Sequence, residues 1–229
     1  IALAILVMAA GLITSVASTF TDMLENSLGS DYLLVPPTVA VWGVNTGASP
    51  ALAQDLRAVE GVDVVSTLRF AGTQINGVPV GLLGIEPRAY VQTGGLAFAE
   101  GDPEAAFGAV ESGRGLIVNG ILQASAGLHL GDAVTLLTPA GTATYTVVGV
   151  ASDYLNAKTT TGYISQANIA ADFGRAEDVF FQINLRPGAD RAAVEAAFKT
   201  ALKPYPQFKL VAGRDYVAGD WIFDRDRCC

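Results

Sequence analysis

The stretch Gly115–Asp153, GLIVNGILQASAGLHLGDAVTLLTPAGTATYTVVGVASD, permits few folds. Gly115–Val118 is a short apolar run that reads as a strand. Asn119 is a helix cap, and Ile121, Leu122, Ser125 and Leu128 follow at helical spacing, with Gly127 as the stop. Leu130-Gly131-Asp132 forms a tight turn. Ala133–Thr138 returns to strand, Pro139-Ala140-Gly141 turns the chain, and Thr142–Val150 runs back as a second strand. In that strand Ala143, Tyr145 and Val147 share one face, and Thr144, Thr146 and Val148 the other.

The flanking segments are more helical. Asp31–Pro36 is a strand stopped by proline, and Pro37–Gly47 is a loop holding Trp42, read as a packing residue. Ser49 caps a helix with Pro50 in its first position; Leu52, Leu56 and Val59 face inward, and Gly61 ends it. Val62–Phe70 and Val78–Ile85 are strands around an Asn76-Gly77 hairpin turn. Residues 91–114, rich in Gly and Ala with scattered acids, are expected to be irregular, with one short helix near Pro103–Phe107. After the central stretch comes a polar loop, 152–162, and a strand end at Tyr163-Ile164. Ser165 then caps a short helix bearing Ile169 and Phe173, stopped by Gly174. Val179–Leu185 is a strand and Pro187-Gly188 a turn. Asp190 caps a helix with Val194, Ala197, Phe198, Ala201 and Leu202 on one stripe, and Phe208–Ala212 closes the chain's last β-α-β unit. Each helix has one apolar stripe and needs a sheet face to bury it. Two β-α-β units around a β-rich middle therefore predict a ferredoxin-like α+β layer with an insertion.

The N-terminus is apolar and uncharged from Ile1 to Ile13. As a helix that run covers only about 20 Å, short of the ~30 Å hydrocarbon core. It reads as the outer part of a membrane helix, as the apolar region of a secretory signal with Val16-Ala17-Ser18 as its small-residue site, or as a buried core helix. The following residues favour the first. Val16, Phe20, Met23, Leu24 and Ser27 continue one helical side without a breaker, and Thr14–Leu28 has no Pro or Gly, so a stiff stalk ending near Gly29 is expected.

Motifs for chemistry are missing. Net charge is −8, which argues against nucleic acid and anionic lipid as partners. His129 is the single histidine, with no G-x-S-x-G elbow to serve, and no G-x-x-x-x-G-K-[ST] loop is present to bind ATP. Glu100, Asp102 and Glu104 do not complete a calcium-loop spacing and read as a solvated acidic face. Asp153, Asp172 and Asp178 are isolated in pattern. Cys228 and Cys229 are too few and too crowded for a disulfide framework or a zinc site. Phe180-Phe181 and Trp221-Ile222-Phe223 read as core, with an exposed partner patch as the alternative. No catalytic, cofactor-binding or metal-binding residue is assigned, no cofactor is expected, and the chain reads as a non-enzyme.

The ordered set Ile117-Val118, Gly127-Leu128, Gly131-Asp132, Val134, Leu136, Gly141, Tyr145 and Val147-Val148-Gly149-Val150 resembles the extracytoplasmic core domain of ABC-transporter permeases of the MacB/lipoprotein-releasing/FtsX-like family. Gly84-Ile85-Glu86-Pro87 with Tyr90 adds to the likeness, although Glu86 stands where that family usually has Asp. The resemblance implies the end of a transmembrane helix and stalk over 1–29. It implies a porter-like α+β layer from 31–90 plus 176–221, and an inserted β-rich, Sabre-like subdomain over 91–175. It also implies a cell-membrane location with the domain in the periplasm or extracellular space, a cytoplasmic ABC ATPase subunit or domain as partner, a homodimer or heterodimer of permeases, and a periplasmic partner protein. The implied function is to couple ATP-driven membrane movement to export or release of a substrate. A membrane-anchored or secreted binding module, or an extracytoplasmic hydrolase with an unrecognised site, are the other readings.

Overall fold

A computed structural model describes residues 29–36, 47–152, 156 and 158–213. The expected membrane and stalk helix, the Trp42 loop, Asp153, the Trp221–Phe223 patch and Cys228-Cys229 lie outside the described residues. Among the described residues no helix is long and apolar enough to cross a membrane.

The first sheet is made by the two ends of the described chain. Strands β1 (Tyr32–Val35), β2 (Val62–Ile75), β9 (Phe180–Leu185) and β10 (Lys209–Ala212) lie in the order β10-β1-β9-β2, with every neighbour antiparallel. Helix α1 (Pro50–Arg57) links β1 to β2, and helix α6 (Arg191–Ala201) links β9 to β10. This is the split β-α-β arrangement of a ferredoxin-like layer, and the fold is α+β. Both helices start where the caps predicted. Ser49 accepts from Ala51 N, and Asp190 accepts from Ala192 N and Ala193 N. Their stripes, Leu52 and Leu56 on α1 and Val194 and Phe198 on α6, pack on Leu34, Val65, Phe181 and Ile183 of the sheet. Burying side chains of this size gives about 1.5–3 kcal/mol each, so this face anchors the layer.

Strand β2 belongs to two sheets. Val62–Leu68 pairs with β9, whereas Arg69–Ile75 pairs with β3 (Val78–Ile85) around Asn76-Gly77, where both residues have positive φ (49° and 81°). The second sheet continues from β3 to β8 (Thr161–Ser165), β5 (Gly115–Val118) and β7 (Gly141–Ser152). Both β4 (Ala97–Glu100) and β6 (Ala133–Thr138) pair with β7. The sheet curls until β6 meets β2, and Thr73 Oγ1 donates to Leu137 O at 2.8 Å. Inside the curl Ile75, Leu82, Leu116, Val134, Tyr145, Val147 and Ile164 form one core. Tyr145 and Val147 are buried while Thr144 and Thr146 are exposed, as the alternation predicted. Helix α4 (Gly120–Ala126) is capped by Asn119 and stopped by Gly127, and helix α5 (Gln166–Phe173) is capped by Ser165 and stopped by Gly174.

The expectation of irregular structure after residue 90 is corrected. Helix α2 (Pro87–Thr93), β4 and helix α3 (Pro103–Ser112) occupy most of 87–112, and α3 is longer than the short helix expected. Burial supplies what local pattern lacked: Tyr90 of α2 and Ala106 and Val110 of α3 join Leu33, Leu68, Ile117 and Phe180 in a third core, on the face of the first sheet opposite α1 and α6.

Candidate functional site

The chain comes into the first sheet and leaves it at one place, the root of the domain. Tyr32 lies opposite Ala212, and Gly213 N donates to Asp31 O at 3.0 Å. The two backbones are so close that a Cβ on Gly213 would overlap the Ser30 carbonyl oxygen, which explains glycine there. Asp31 fastens this root. Its carboxylate accepts from Leu185 N at 2.8 Å and pairs with Arg191 at the start of α6. The Arg191 guanidinium lies 5.8 Å over the Tyr32 ring, and Tyr32 Oη donates to Glu195 at 2.8 Å.

The same root also holds α2. The last carbonyls of a helix have no partner within it and must be satisfied from outside. Here the partners come from two distant segments. Ser30 Oγ donates to Thr93 O at 2.8 Å, Gln182 Nε2 donates to Thr93 O at 3.4 Å, and Asn184 Nδ2 donates to Gln92 O at 2.8 Å. Asn184 Oδ1 accepts from Asp31 N at 3.2 Å. Displacing Ser30 and Asp31 therefore acts on the first sheet through β9 and on the second through α2, whose chain runs on into β4.

A second junction lies where β2 passes between sheets. Arg69, the first residue paired with β3, meets Asp178 at 3.0 Å, with side chains 14% and 2% exposed. Gln166 Nε2 donates to both Thr67 O and Thr67 Oγ1 at 2.7 Å, and Arg69 donates to Gln166 O. Ala48 and Asp178 exchange backbone bonds at 2.9 Å. Burial pushes the Asp178 carboxyl above the usual carboxylate range, against the opposing pull of Arg69.

Among the described residues, the acids noted in the sequence do not converge. Asp172 binds Arg114 through both oxygens and accepts from Tyr145 Oη at 2.5 Å, while Arg114 lies 5.2 Å over the Tyr145 ring. This cluster pins α5 to β5 and β7. Asp102 caps α3, and Glu100 accepts from Gln123 at 3.0 Å. The His129 side chain is 82% exposed, with Asp132 as its neighbouring acid. Among the described residues no group of three or more His, Cys, Asp or Glu is placed to hold a metal ion. Phe180 and Phe181 are fully buried, on opposite faces of the first sheet.

The Arg114 bond, with help from Tyr145, holds the Asp172 carboxyl below its usual range. A carboxyl lowered in the folded state contributes stability above the unfolded value, near pH 4, and loses it as pH falls through the folded value. Asp172→Asn is therefore expected to cost about 1 kcal/mol at neutral pH, because Arg114 is half exposed. Urea titrations of variant and wild type should converge in acid.

The family model for the MacB-like periplasmic core domain matches residues 1–201. The chain belongs to that family. The periplasmic region of MacB from Actinobacillus actinomycetemcomitans aligns with this MacB-like domain at a TM-score of 0.59 and 12% identity, over 87% of this chain and 98% of that one. The extracellular domain of the noncanonic ABC-type transporter YknZ from Gram-positive bacteria aligns at 0.55 and 12%, over 80% and 99%. At this identity the two structures speak for the fold. No curated protein matches the chain. Membership makes this MacB-like domain a periplasmic or extracellular domain of an ABC-type transporter permease, a class that works with an ATPase at a membrane. Sequence reasoning missed Ser30, Asp31, Gln182 and Asn184. The available signal was Gln182 and Asn184, two polar residues at period two in the apolar strand FFQINL.

Proposed function

We propose that this domain is a non-enzymatic moving head, which converts ATP-driven movement in the membrane into export or release of a substrate. The carrying observation is the root, where one short segment, Ser30-Asp31, bonds the first sheet and the end of α2 together. A stalk that tilts there moves both sheets. The partners of this reading are a cytoplasmic ABC ATPase subunit or domain, a second permease chain in a homodimer or heterodimer, and a periplasmic partner protein. The stalk must be stiff, so a proline in its middle tests the reading. With Phe20→Pro in the intact transporter, transport per ATP hydrolysed is expected to fall while ATP turnover persists. Unchanged substrate-stimulated transport at normal turnover would overturn it.

A further inference from the structure

The face of the first sheet that meets α2 carries polar side chains inside a largely apolar core. Ser66 on β2 and Gln182 on β9 are directly opposed in register, so both project from this face with Cβ atoms about 5 Å apart. Ser66 is 0% exposed and Gln182 3%. Around them, Leu33, Leu68 and Phe180 are apolar and buried, and the Tyr90 ring is buried with them.

With Gln182 Nε2 donating to Thr93 O, the amide oxygen Oε1 has no donor among the described residues. Among the same residues Ser66 Oγ has no partner of either kind. Turning the amide round would set Oε1 against Thr93 O, two acceptors face to face, so a flip does not resolve the pair. Native interiors leave few polar atoms in this condition, and two opposed on neighbouring strands point to something between them.

We infer that Ser66 Oγ and Gln182 Oε1 hold one internal water in the seam between the first sheet and α2. A water donates to Oε1 and exchanges its second bond with the Ser66 hydroxyl, which rotates to donate or accept. Two bonds lie within the range of two to four that buried waters make. A metal cation is a poor fit, because one amide oxygen and one hydroxyl supply neither the ligand number nor the charge it needs. The water joins β2 to β9 beneath Thr93, whose carbonyl Ser30 also holds. It is thus part of the seam that the root touches.

The test joins a crystal structure of the domain at about 1.5 Å, where waters are well defined, to a stability cycle over Ser66→Ala, Gln182→Met and the double variant. The expected result is an ordered water bonded to both side chains in the wild type and missing from the double variant. Ser66→Ala should raise the unfolding constant about tenfold and Gln182→Met by more, because it also removes the bond to Thr93 O; the double should exceed Gln182→Met by little, because either change already releases the shared water. A direct Ser66–Gln182 bond without solvent between them would overturn the inference, as would multiplicative effects in the cycle.

Discussion

Asp178→Ala is expected to lower the stability of the domain by about 3–5 kcal/mol, the largest loss of any single polar substitution considered. The reason is the environment of the pair, not the pairing alone. Asp178 is 2% exposed and Arg69 14%, so removing the acid leaves a guanidinium charge with little solvent and the neutral Gln166 carbonyl beside it. Asp178→Asn keeps shape and one acceptor and should cost less. At this chain length each kcal/mol moves Tm by about 2–4 °C, so calorimetry separates the two variants. The pH dependence has a definite sign. Burial raises the Asp178 carboxyl in the folded state, so the folded protein binds the extra proton first. Between the ordinary carboxylate value and that raised value, this residue makes stability fall as pH rises, and Asp178→Asn removes that slope. An Asp178→Ala domain as stable as wild type would show that the two sheets are joined without this contact.

Much of the fold was legible because its signals are local. The caps Ser49, Asn119, Ser165 and Asp190 each make the side-chain bond their position suggested, and Asn76-Gly77 turns where a two-residue hairpin needs positive φ twice. The β-α-β units follow from the apolar stripes that hold Leu52 and Leu56 on α1 and Val194 and Phe198 on α6. Residues 87–112 were less legible for the opposite reason. Gly108 inside α3 lowers helix propensity, and the helix persists because Ala106 and Val110 are buried and Phe107 meets Phe98 edge to face at 5.5 Å. Strand β4 reads AFAE with three exposed residues, a sheet edge without the alternation that marks a half-buried strand.

The root was legible least of all. Asp31 reads locally as the first residue of a strand, and its partners Leu185 and Arg191 stand 154 and 160 positions away. Asp178 and Arg69 are separated by 109. Such pairs leave no spacing in the sequence, and a lone carboxylate in pattern is compatible with a solvated surface, a cap or a buried ion pair. Family resemblance implied the α+β fold, but the side chains that fasten one part to another are set by long-range packing that no resemblance names.

The bond from Leu185 N to the Asp31 carboxylate is charge-assisted and contributes about 1.5–3 kcal/mol, and the neutral Ser30–Thr93 bond about 1 kcal/mol, so Ser30→Ala with Asp31→Ala should lower the ratio of fastened to released root by on the order of a hundredfold. The backbone pairing of β1 with β9 and β10 remains, so the isolated domain should still unfold cooperatively. The decisive measurement is transport per ATP hydrolysed in the intact permease carrying both substitutions, with hydrogen exchange at the Leu185 amide reporting release of the root. The account predicts about a tenfold fall in transport at sustained ATP turnover, together with faster exchange at Leu185. Wild-type transport from a permease whose Leu185 amide exchanges freely would contradict it.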